Sequence, residues 1–245
     1  MILFFGDTHA ELRHLQYIVD REKPAAIVLL GDIEAQAPLD VVLKDLDTDI
    51  YWIHGNHDTD RLSSWENLHS SKLADRNLHG RVMEVDGLRV AGLGGIFREE
   101  IWYPNCSADA APNFDTYADY CDKQLQAARW QAYRHAGGKP GPDVELPPPE
   151  LKGKALTHLS SIFYETWLDL TGLQADILVC HEAPTCHPHG FAAIDALARE
   201  MAVKQVFHGH HHENHVYGRQ EGGYEAFGVG LRQCMDLNGK IINAR

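Results

Sequence analysis

Short apolar runs that stop at a metal-ligand type of residue recur along the chain and constrain its fold more than any other feature. Such a run, usually followed by Gly and then by Asp, Asn or His, is typical of a buried strand. Side chains that follow neighbouring parallel strands meet at one edge of a sheet. Five such strand ends in one chain therefore predict a metal centre. The residues that follow the runs are Asp7 and His9, then Asp32, then Asn56, His57 and Asp58, then His181, and finally His210 and His212.

Length, composition and charge limit the classes of protein that the chain can belong to. With 245 residues, 44% of them hydrophobic, it can bury a sizeable core, and we expect a single domain over residues 1–245. The formal net charge of −13 argues against a broad nucleic-acid or membrane surface, because polyanions are bound through basic residues. Bound metal could still hold an anionic substrate. Nucleic acid is thus expected only as a substrate, and a membrane is not expected as a partner.

The cysteines and the first residues favour a cytoplasmic protein. Met1 leads directly into the first apolar run, and no run approaches the length of a membrane span. The five cysteines are odd in number and form no CxxC pair, so we expect free thiols in a reducing compartment.

Helical and strand-like patterns alternate in the first third of the chain. Apolar residues at helical spacing predict a helix over 11–22 that Pro24 stops, and a second helix is expected near 38–46. Strand, helix, strand and helix in this order imply parallel strands covered by helices, hence an α/β fold. Residues 82–85 and 88–91, joined by Asp86-Gly87, predict an antiparallel hairpin.

The stretch from about 97 to 156 breaks this alternation. It contains many aromatic residues, a predicted helix over 114–134, and Gly/Pro-rich runs at 137–142 and 147–149. We interpret it as an insertion that forms a lid over the site; a surface excursion unrelated to catalysis is the alternative. A second α/β section follows. Its predicted elements are a helix over 157–170, a strand over 177–180, a helix over 191–201, a strand over 203–207, and closing strands at 224–230 and 240–243.

Taken in order, the ligand-type residues resemble the five motifs of the calcineurin-like metallophosphoesterase superfamily. Each motif alone is weak, but all five occur in sequence between residues 7 and 212. The resemblance implies a four-layer α/β/β/α fold with a dinuclear metal centre. The motifs are Asp7-Thr8-His9, Gly31-Asp32, Gly55-Asn56-His57-Asp58, His181, and Gly209-His210-His211-His212.

The resemblance also implies how two divalent cations are shared. Two such ions about 3.5–4 Å apart need a bridging carboxylate, and Asp32 suits this role because it has two oxygens. The first metal is expected on Asp7, His9, Asp32 and His212, and the second on Asp32, Asn56, His181 and His210. Mixed His, carboxylate and amide ligands suit Mn, Fe, Zn or Ni, with Mn favoured.

His57 follows the expected ligand Asn56, and the resemblance implies that it points at the substrate. The implied function is hydrolysis of a phosphate ester by a metal-bridging hydroxide. His57 acts as general acid and transition-state stabiliser, which contributes about 10²–10⁴-fold. We expect Asp58 to hold the His57 imidazole; the alternative for Asp58 is a helix N-cap.

Three departures from the superfamily pattern stand out. Ala10 replaces the usual Gly after the first motif, Ala35 replaces the second Asp of the GDxxD form, and His54 precedes Gly55 where an Arg is usual. These losses argue against protein-phosphatase activity, while every expected metal position is filled.

Substrate contacts are less constrained by the pattern. Arg98 is a candidate phosphate clamp, or a surface residue paired with a nearby glutamate, and Trp102 and Tyr103 could stack on a base or lie in the core. Next to the motifs, His187, His189 and His211 could reach substrate or be loop residues.

Two rival functions stay open from the sequence. The first is a phosphodiesterase or nuclease that acts on nucleotides or nucleic acid. The second is a non-catalytic metal-binding scaffold, against which the retained His57 argues. The natural substrate and the oligomeric state are not predicted.

Overall fold

The computed structural model describes residues 1–139 and 150–243 and contains two β-sheets in this part of the chain. Strand order is β10-β1-β2-β3 in the smaller sheet and β4-β5-β6-β7-β9-β8 in the larger one. The strands are β1 (Ile2–Phe5), β2 (Ala26–Leu30), β3 (Asp49–Ile53), β4 (Arg81–Val85), β5 (Leu88–Leu93), β6 (Ile177–Cys180), β7 (Gln205–His208), β8 (His215–Arg219), β9 (Glu225–Gly228) and β10 (Cys234–Asp236).

Parallel pairing dominates the centre of both sheets. β1, β2 and β3 are parallel to one another, and so are β5, β6, β7 and β9, whereas β10, β4 and β8 add antiparallel edges. The predicted hairpin joins β4 and β5. Its turn residues Asp86 and Gly87 have φ of 47° and 77°, as a type I′ turn requires.

The two sheets pack face to face, and helices cover their outer faces. Alternate side chains of β1 show this: Ile2 and Phe4 lie in the core between the sheets, where Phe4 stacks on Phe207 at 3.8 Å, whereas Leu3 and Phe5 face the helices. The expected four-layer α/β/β/α arrangement is confirmed. The helices are α1 (Arg13–Glu22), α2 (Leu39–Val42), α3 (Leu62–His69), α4 (Tyr117–Tyr120), α5 (Gln126–His135), α6 (Lys154–Thr157), α7 (Tyr164–Thr171) and α8 (Ala192–Glu200).

Three predicted elements are shorter than expected. The helix near 38–46 is the single turn α2, because Val41 and Val42 are exposed and give the turn no further apolar face. The helix over 157–170 starts only at Tyr164, because the backbone N–H of Ile162 donates to the carbonyl of Ile96 at 2.9 Å. The strand at 240–243 is reduced to one bridge between Ile241 and Met235.

Buried residues between 97 and 121 pack on the outer face of the larger sheet. Trp102, Phe114 and Tyr120 belong to the same buried cluster as residues of α7 and α8. The predicted helix over 114–134 is present as α4 and α5, joined through a π-helical turn at Cys121–Leu125. The Gly/Pro-rich runs fall wholly or partly on residues 140–149, outside the described residues, and the insertion and lid stay a prediction.

Two further expectations concern the cysteines and membrane spans. All five cysteines are unpaired, as expected. Within 1–139 and 150–243, none of the helices combines the length and the apolar character that a bilayer crossing needs.

Candidate metal centre

The predicted ligands converge where the carboxyl ends of the two sheets meet. Asp7 follows β1 and Asp32 follows β2 in the smaller sheet, whereas His181 follows β6 and His210 follows β7 in the larger one. The ring Nδ1 of His181 donates to the carbonyl oxygen of Leu30 at 2.7 Å, which joins the two sheets directly at this edge.

One group of donor atoms combines Asp7, His9, Asp32 and His212. One ligand atom from each of these residues lies within 4.8 Å of all the others. Nε2 of His9 is 3.2 Å from Nε2 of His212 and 3.8 Å from Oδ2 of Asp32. Two imidazole nitrogens and carboxylate oxygens thus point at one small volume.

A second group shares Asp32 and adds His181 and His210, again within 4.8 Å of one another. Nε2 of His181 lies 3.4 Å from Oδ2 of Asp32 and 3.2 Å from Oδ1 of Asn56. The amide oxygen of Asn56 therefore faces the same point. Asp32 alone belongs to both groups, which is the position that a bridging ligand needs.

The buried oxygen of Asp32 tests whether these residues fit a metal. Asp32 is only 1% exposed, and its Oδ2 has no hydrogen-bond partner among the described residues. Nε2 of His181 lies 3.4 Å from this oxygen without forming a hydrogen bond to it, and a cation between the two groups would satisfy it. Oxygen and imidazole nitrogen donors fit a first-row transition metal.

The outer nitrogens of two imidazoles are held by other groups, which directs their Nε2 atoms inward. Nδ1 of His181 is occupied by the carbonyl of Leu30, and Nδ1 of His9 contacts the carboxylate of Glu34. Such outer partners fix the ring orientation of metal-ligating histidines. Glu34 was not predicted, since its position two residues after Asp32 carries no sequence signal.

Left-handed backbone turns these side chains toward the centre. His9, Asp32, His210 and His212 have φ between 41° and 67°, which costs about 1–3 kcal/mol per non-glycine residue. Because His210 and His212 both leave the extended conformation, they reach different donor groups. Without this irregular backbone, residues two apart would share one face of a strand.

Close packing also explains the glycine of the third motif. A Cβ atom at Gly55 would lie 2.3 Å from Oδ1 of Asp32 and 2.6 Å from Cε1 of His181. Any side chain at this position would therefore displace the residue shared by both donor groups.

The protonation of the centre is dominated by Asp32 and His181. Burial would raise the pKa of Asp32, but the positive charge of His181 and the backbone N–H of His57 hold it below its ordinary value. Burial would lower the pKa of His181, yet Asp32 and Asp7 raise it to about 10. Without a cation, the two residues form a buried ion pair.

His57 lies beside the two groups rather than in them. Its side chain is 45% exposed, and its ring centroid is 5.3 Å from that of His9. Nδ1 of His57 donates to Oδ2 of Asp60 at 2.7 Å. The pKa of His57 is raised, because this hydrogen bond and nearby carboxylates outweigh the effect of burial.

The expectation that Asp58 holds the His57 imidazole is wrong, as is its reading as a helix N-cap. Asp58 is fully buried and accepts hydrogen bonds from the backbone N–H groups of Glu34, at 2.6 Å, and Gly55, at 2.8 Å. Its carboxylate therefore ties the loop after β2 to the loop after β3. Burial raises its pKa to about 7.

Comparison with known proteins identifies the family. A calcineurin-like phosphoesterase model matches residues 1–214. The chain belongs to the calcineurin-like phosphoesterase family. An uncharacterized protein of Haemophilus influenzae is 38% identical over 247 residues, covering 99% of this chain and 96% of that protein. The crystal structure of TT1561 of Thermus thermophilus is similar in fold, with a TM-score of 0.55 at 16% identity, covering 100% of this chain and 98% of that chain.

Two of the three departures from the phosphoesterase pattern can be described in physical terms. Ala10 has a φ of 61°, a conformation in which glycine is unstrained, so the replacement carries backbone strain. His54 is 1% exposed, packs against His79 and Trp65, and burial lowers its pKa well below the usual value. In this phosphoesterase, therefore, His54 is a neutral core residue.

Arg98 is neither a simple surface residue nor paired with a neighbouring glutamate. Its guanidinium donates to the carbonyl of Ser160 and the hydroxyl of Ser161, both at 3.0 Å. Burial lowers its pKa, opposed by the charges of Glu182, Asp60 and Asp32. Its role as a phosphate clamp stays a prediction.

The aromatic and histidine candidates separate into core and surface residues. Trp102 is fully buried and donates its indole N–H to the carbonyl of Ala110, so it cannot stack on a base, whereas Tyr103 is 41% exposed. His187 and His211 stack on each other at 3.6 Å, and the His211 ring is 4.9 Å from that of His210. His189 is exposed, with its ring 6.3 Å from that of His211. Contact of these three histidines with substrate stays a prediction.

Proposed function

We propose that this phosphoesterase hydrolyses phosphate esters with two divalent cations, one held by each donor group. The observation that carries the proposal is that Asp32 belongs to both groups and that its buried Oδ2 accepts no hydrogen bond from the described residues. The first cation would be held by Asp7, His9, Asp32 and His212, and the second by Asp32, Asn56, His181 and His210.

When bound, the two cations would attract the phosphate and lower the pKa of water at the site. Asp7 and Asp32 are the only carboxylates in this ligand set, so they do not neutralise two dications, and the centre keeps a net positive charge. This local charge explains how an acidic protein with a net charge of −13 can bind an anionic ester.

His57 would supply the proton for the leaving group. Hydrolysis adds water across the P–O ester bond, and the alkoxide that leaves must take up a proton. With Nδ1 held by Asp60, Nε2 of the exposed His57 ring is left to donate that proton and to balance charge on the phosphate oxygens. The raised pKa of His57 favours the protonated ring that this role needs.

A small phosphomonoester is the substrate class that we favour, with a phosphodiester as the alternative outcome of the test. The chain as a whole carries no excess of positive charge for a nucleic-acid backbone, since it has 35 acidic and 22 basic residues. We also propose Mn as the physiological metal and a cytoplasmic location; the mixed ligands and the five unpaired thiols support these choices.

Turnover of p-nitrophenyl phosphate and of its bis ester, with Mn²⁺ added to chelator-treated protein, tests the function. We expect Mn-dependent hydrolysis of the monoester at the higher kcat/KM. A higher kcat/KM for the bis ester than for the monoester would establish that the protein is a phosphodiesterase. No hydrolysis of either ester with Mn, Fe, Zn or Ni would overturn the proposal and favour the scaffold.

A further inference from the structure

A polar cavity of about 650 Å³ adjoins the candidate metal centre on the side of His57 and His9. Asp60, which holds the His57 ring, and Glu34, which holds the His9 ring, both line it. A leaving group released next to His57 would therefore have this cavity beside it. Such a volume accommodates a small organic group.

Helix α3 begins at the cavity and leaves polar groups without partners there. Ser64 lines the cavity, is only 9% exposed, and its hydroxyl has no hydrogen-bond partner among the described residues. The N–H of Ser63, in the first turn of α3, has no partner within the helix. Arg61, also in the lining, forms no ion pair within the described part of the chain.

The balance of donors and acceptors indicates the chemistry of the ligand. Glu34 and Asp60 each use one carboxylate oxygen on a histidine ring, which leaves the other oxygen as an acceptor. Arg61 and the N–H of Ser63 are donors. A ligand must therefore both donate and accept hydrogen bonds.

Charged and aromatic ligands fit this lining poorly. A second anionic group would face the two carboxylates of Glu34 and Asp60 against the single guanidinium of Arg61. A cationic group would face Arg61 and the positive end of the α3 dipole. The lining contains no aromatic ring on which a base could stack. Hydroxyl groups carry no charge and can both donate and accept hydrogen bonds, so they satisfy the donors and the acceptors of the lining.

We infer that this cavity binds the hydroxyl-rich leaving group of the substrate, so that the protein acts on phosphomonoesters of polyols such as sugar or glycerol phosphates. The inference rests on the proposed function, because that function places the leaving oxygen beside His57. The unpartnered hydroxyl of Ser64 and the polar side chains of Gln36 and Asn67 would contact the hydroxyls of the polyol.

Two substitutions on α3 test the inference through a ratio of activities. Ser64→Ala removes the hydroxyl that lines the cavity, and Ser63→Leu fills the cavity from its exposed edge. We expect each variant to lower the kcat/KM for glucose 6-phosphate, relative to that for p-nitrophenyl phosphate, by about tenfold, the effect of about one lost hydrogen bond. Ser70→Ala and Ser70→Leu, at the exposed C-terminal end of the same helix, should leave the ratio unchanged.

A binding measurement separates this inference from the proposed function. Glucose 6-phosphate and glycerol 3-phosphate are titrated calorimetrically into the Mn-loaded His57→Gln protein, with and without each α3 substitution. Binding that the α3 substitutions weaken supports the cavity even if no ester is hydrolysed. The cavity assignment is overturned if neither phosphate binds. It is also overturned if the α3 substitutions change neither the binding nor the ratio of kcat/KM values, even when p-nitrophenyl phosphate is hydrolysed.

Discussion

Oδ2 of Asp60 lies 2.7 Å from Nδ1 of His57, and this pair links the exposed imidazole of the centre to the loop that leads into α3. The two residues are three apart across a single 3-10 turn, His57–Thr59, so the contact is local.

Asp60→Asn should therefore impair turnover while the metals stay bound. The amide keeps a hydrogen bond to Nδ1 but removes the charge that favours the imidazolium, so we expect kcat to fall about tenfold or more. The loss should be larger for an alkyl phosphate than for p-nitrophenyl phosphate, because a poor leaving group depends more on the proton. Equal loss for both esters would contradict a role through His57.

Asp58→Asn should have a different effect, since Asp58 holds backbone rather than an imidazole. Its two carboxylate oxygens accept from the N–H groups of Glu34 and Gly55, one each, and an amide has an oxygen at only one of these two positions. We expect the free energy of unfolding to fall by about 1–3 kcal/mol, measured in urea, with a lower metal content. If the variant were as stable as the unsubstituted protein but had lost turnover, Asp58 would instead have a direct role in catalysis.

The sequence predicted the strand ends and the residues they deliver because both are local properties. Four apolar residues followed by Gly-Asp identify a strand and its end without knowledge of its neighbours. β1 and β2 end at Phe5 and Leu30, directly before Gly6-Asp7 and Gly31-Asp32. The order of parallel strands then brings Asp7 and Asp32 together, whereas the division of the ligands into two groups came from the resemblance to the family.

The residues that orient the site could not be predicted from the sequence, because their contacts depend on loop conformation. Glu34 contacts His9 only because the backbone at Glu34 adopts a φ of 50°. Asp58 and Asp60 are chemically identical and two residues apart, and only the 3-10 turn decides which one faces His57. The position of Asp58 next to His57 suggested the wrong partner.

His57→Gln should retain the metals and lose activity. The side chain lies outside both donor groups, so we expect metal content by elemental analysis to be unchanged and turnover to fall about 10²-fold or more. His215→Gln, an exposed histidine on β8, is the matched control and should change neither. Unchanged turnover in the His57 variant would remove this residue from the mechanism.

Asp32→Asn should lower the metal content, because the shared ligand loses its charge and one of its two acceptor oxygens. We expect fewer than two metals per chain after dialysis, with activity reduced accordingly. Asp75→Asn, an exposed aspartate outside the centre, controls for the change in net charge. Two tightly bound metals in the Asp32 variant would show that the ligand assignment is wrong.

Above neutral pH, metal-free protein should become less stable as the pH rises, because three buried groups gain proton affinity on folding. Burial raises the pKa of Asp58 from 3.8 to about 7 and that of Glu182 from 4.5 to about 7. Burial opposes the imidazolium of His181, but Asp32 and Asp7 raise its pKa from 6.5 to about 10. A raised pKa stabilises the fold below the group's unfolded-state value, and this contribution is lost as the pH passes the folded-state value. Below pH 6.5 this trend is opposed by buried histidines whose pKa is lowered to about 3, such as His208 and His210, because the unfolded chain binds protons that the folded chain does not. We therefore expect the Tm of chelator-treated protein to fall from about pH 7 to pH 9.

Bound metal should reverse this trend, because His181 must lose its proton to become a ligand. The gap in Tm between Mn-loaded and chelator-treated protein should widen between pH 6 and pH 9, since tighter binding to the folded state gives greater stabilisation. Calorimetric titration of Mn²⁺ at pH 7, in buffers of different ionisation enthalpy, should show proton release on binding. A Tm gap that stays constant or narrows, together with no released proton, would mean that the buried imidazole of His181 does not bind the metal.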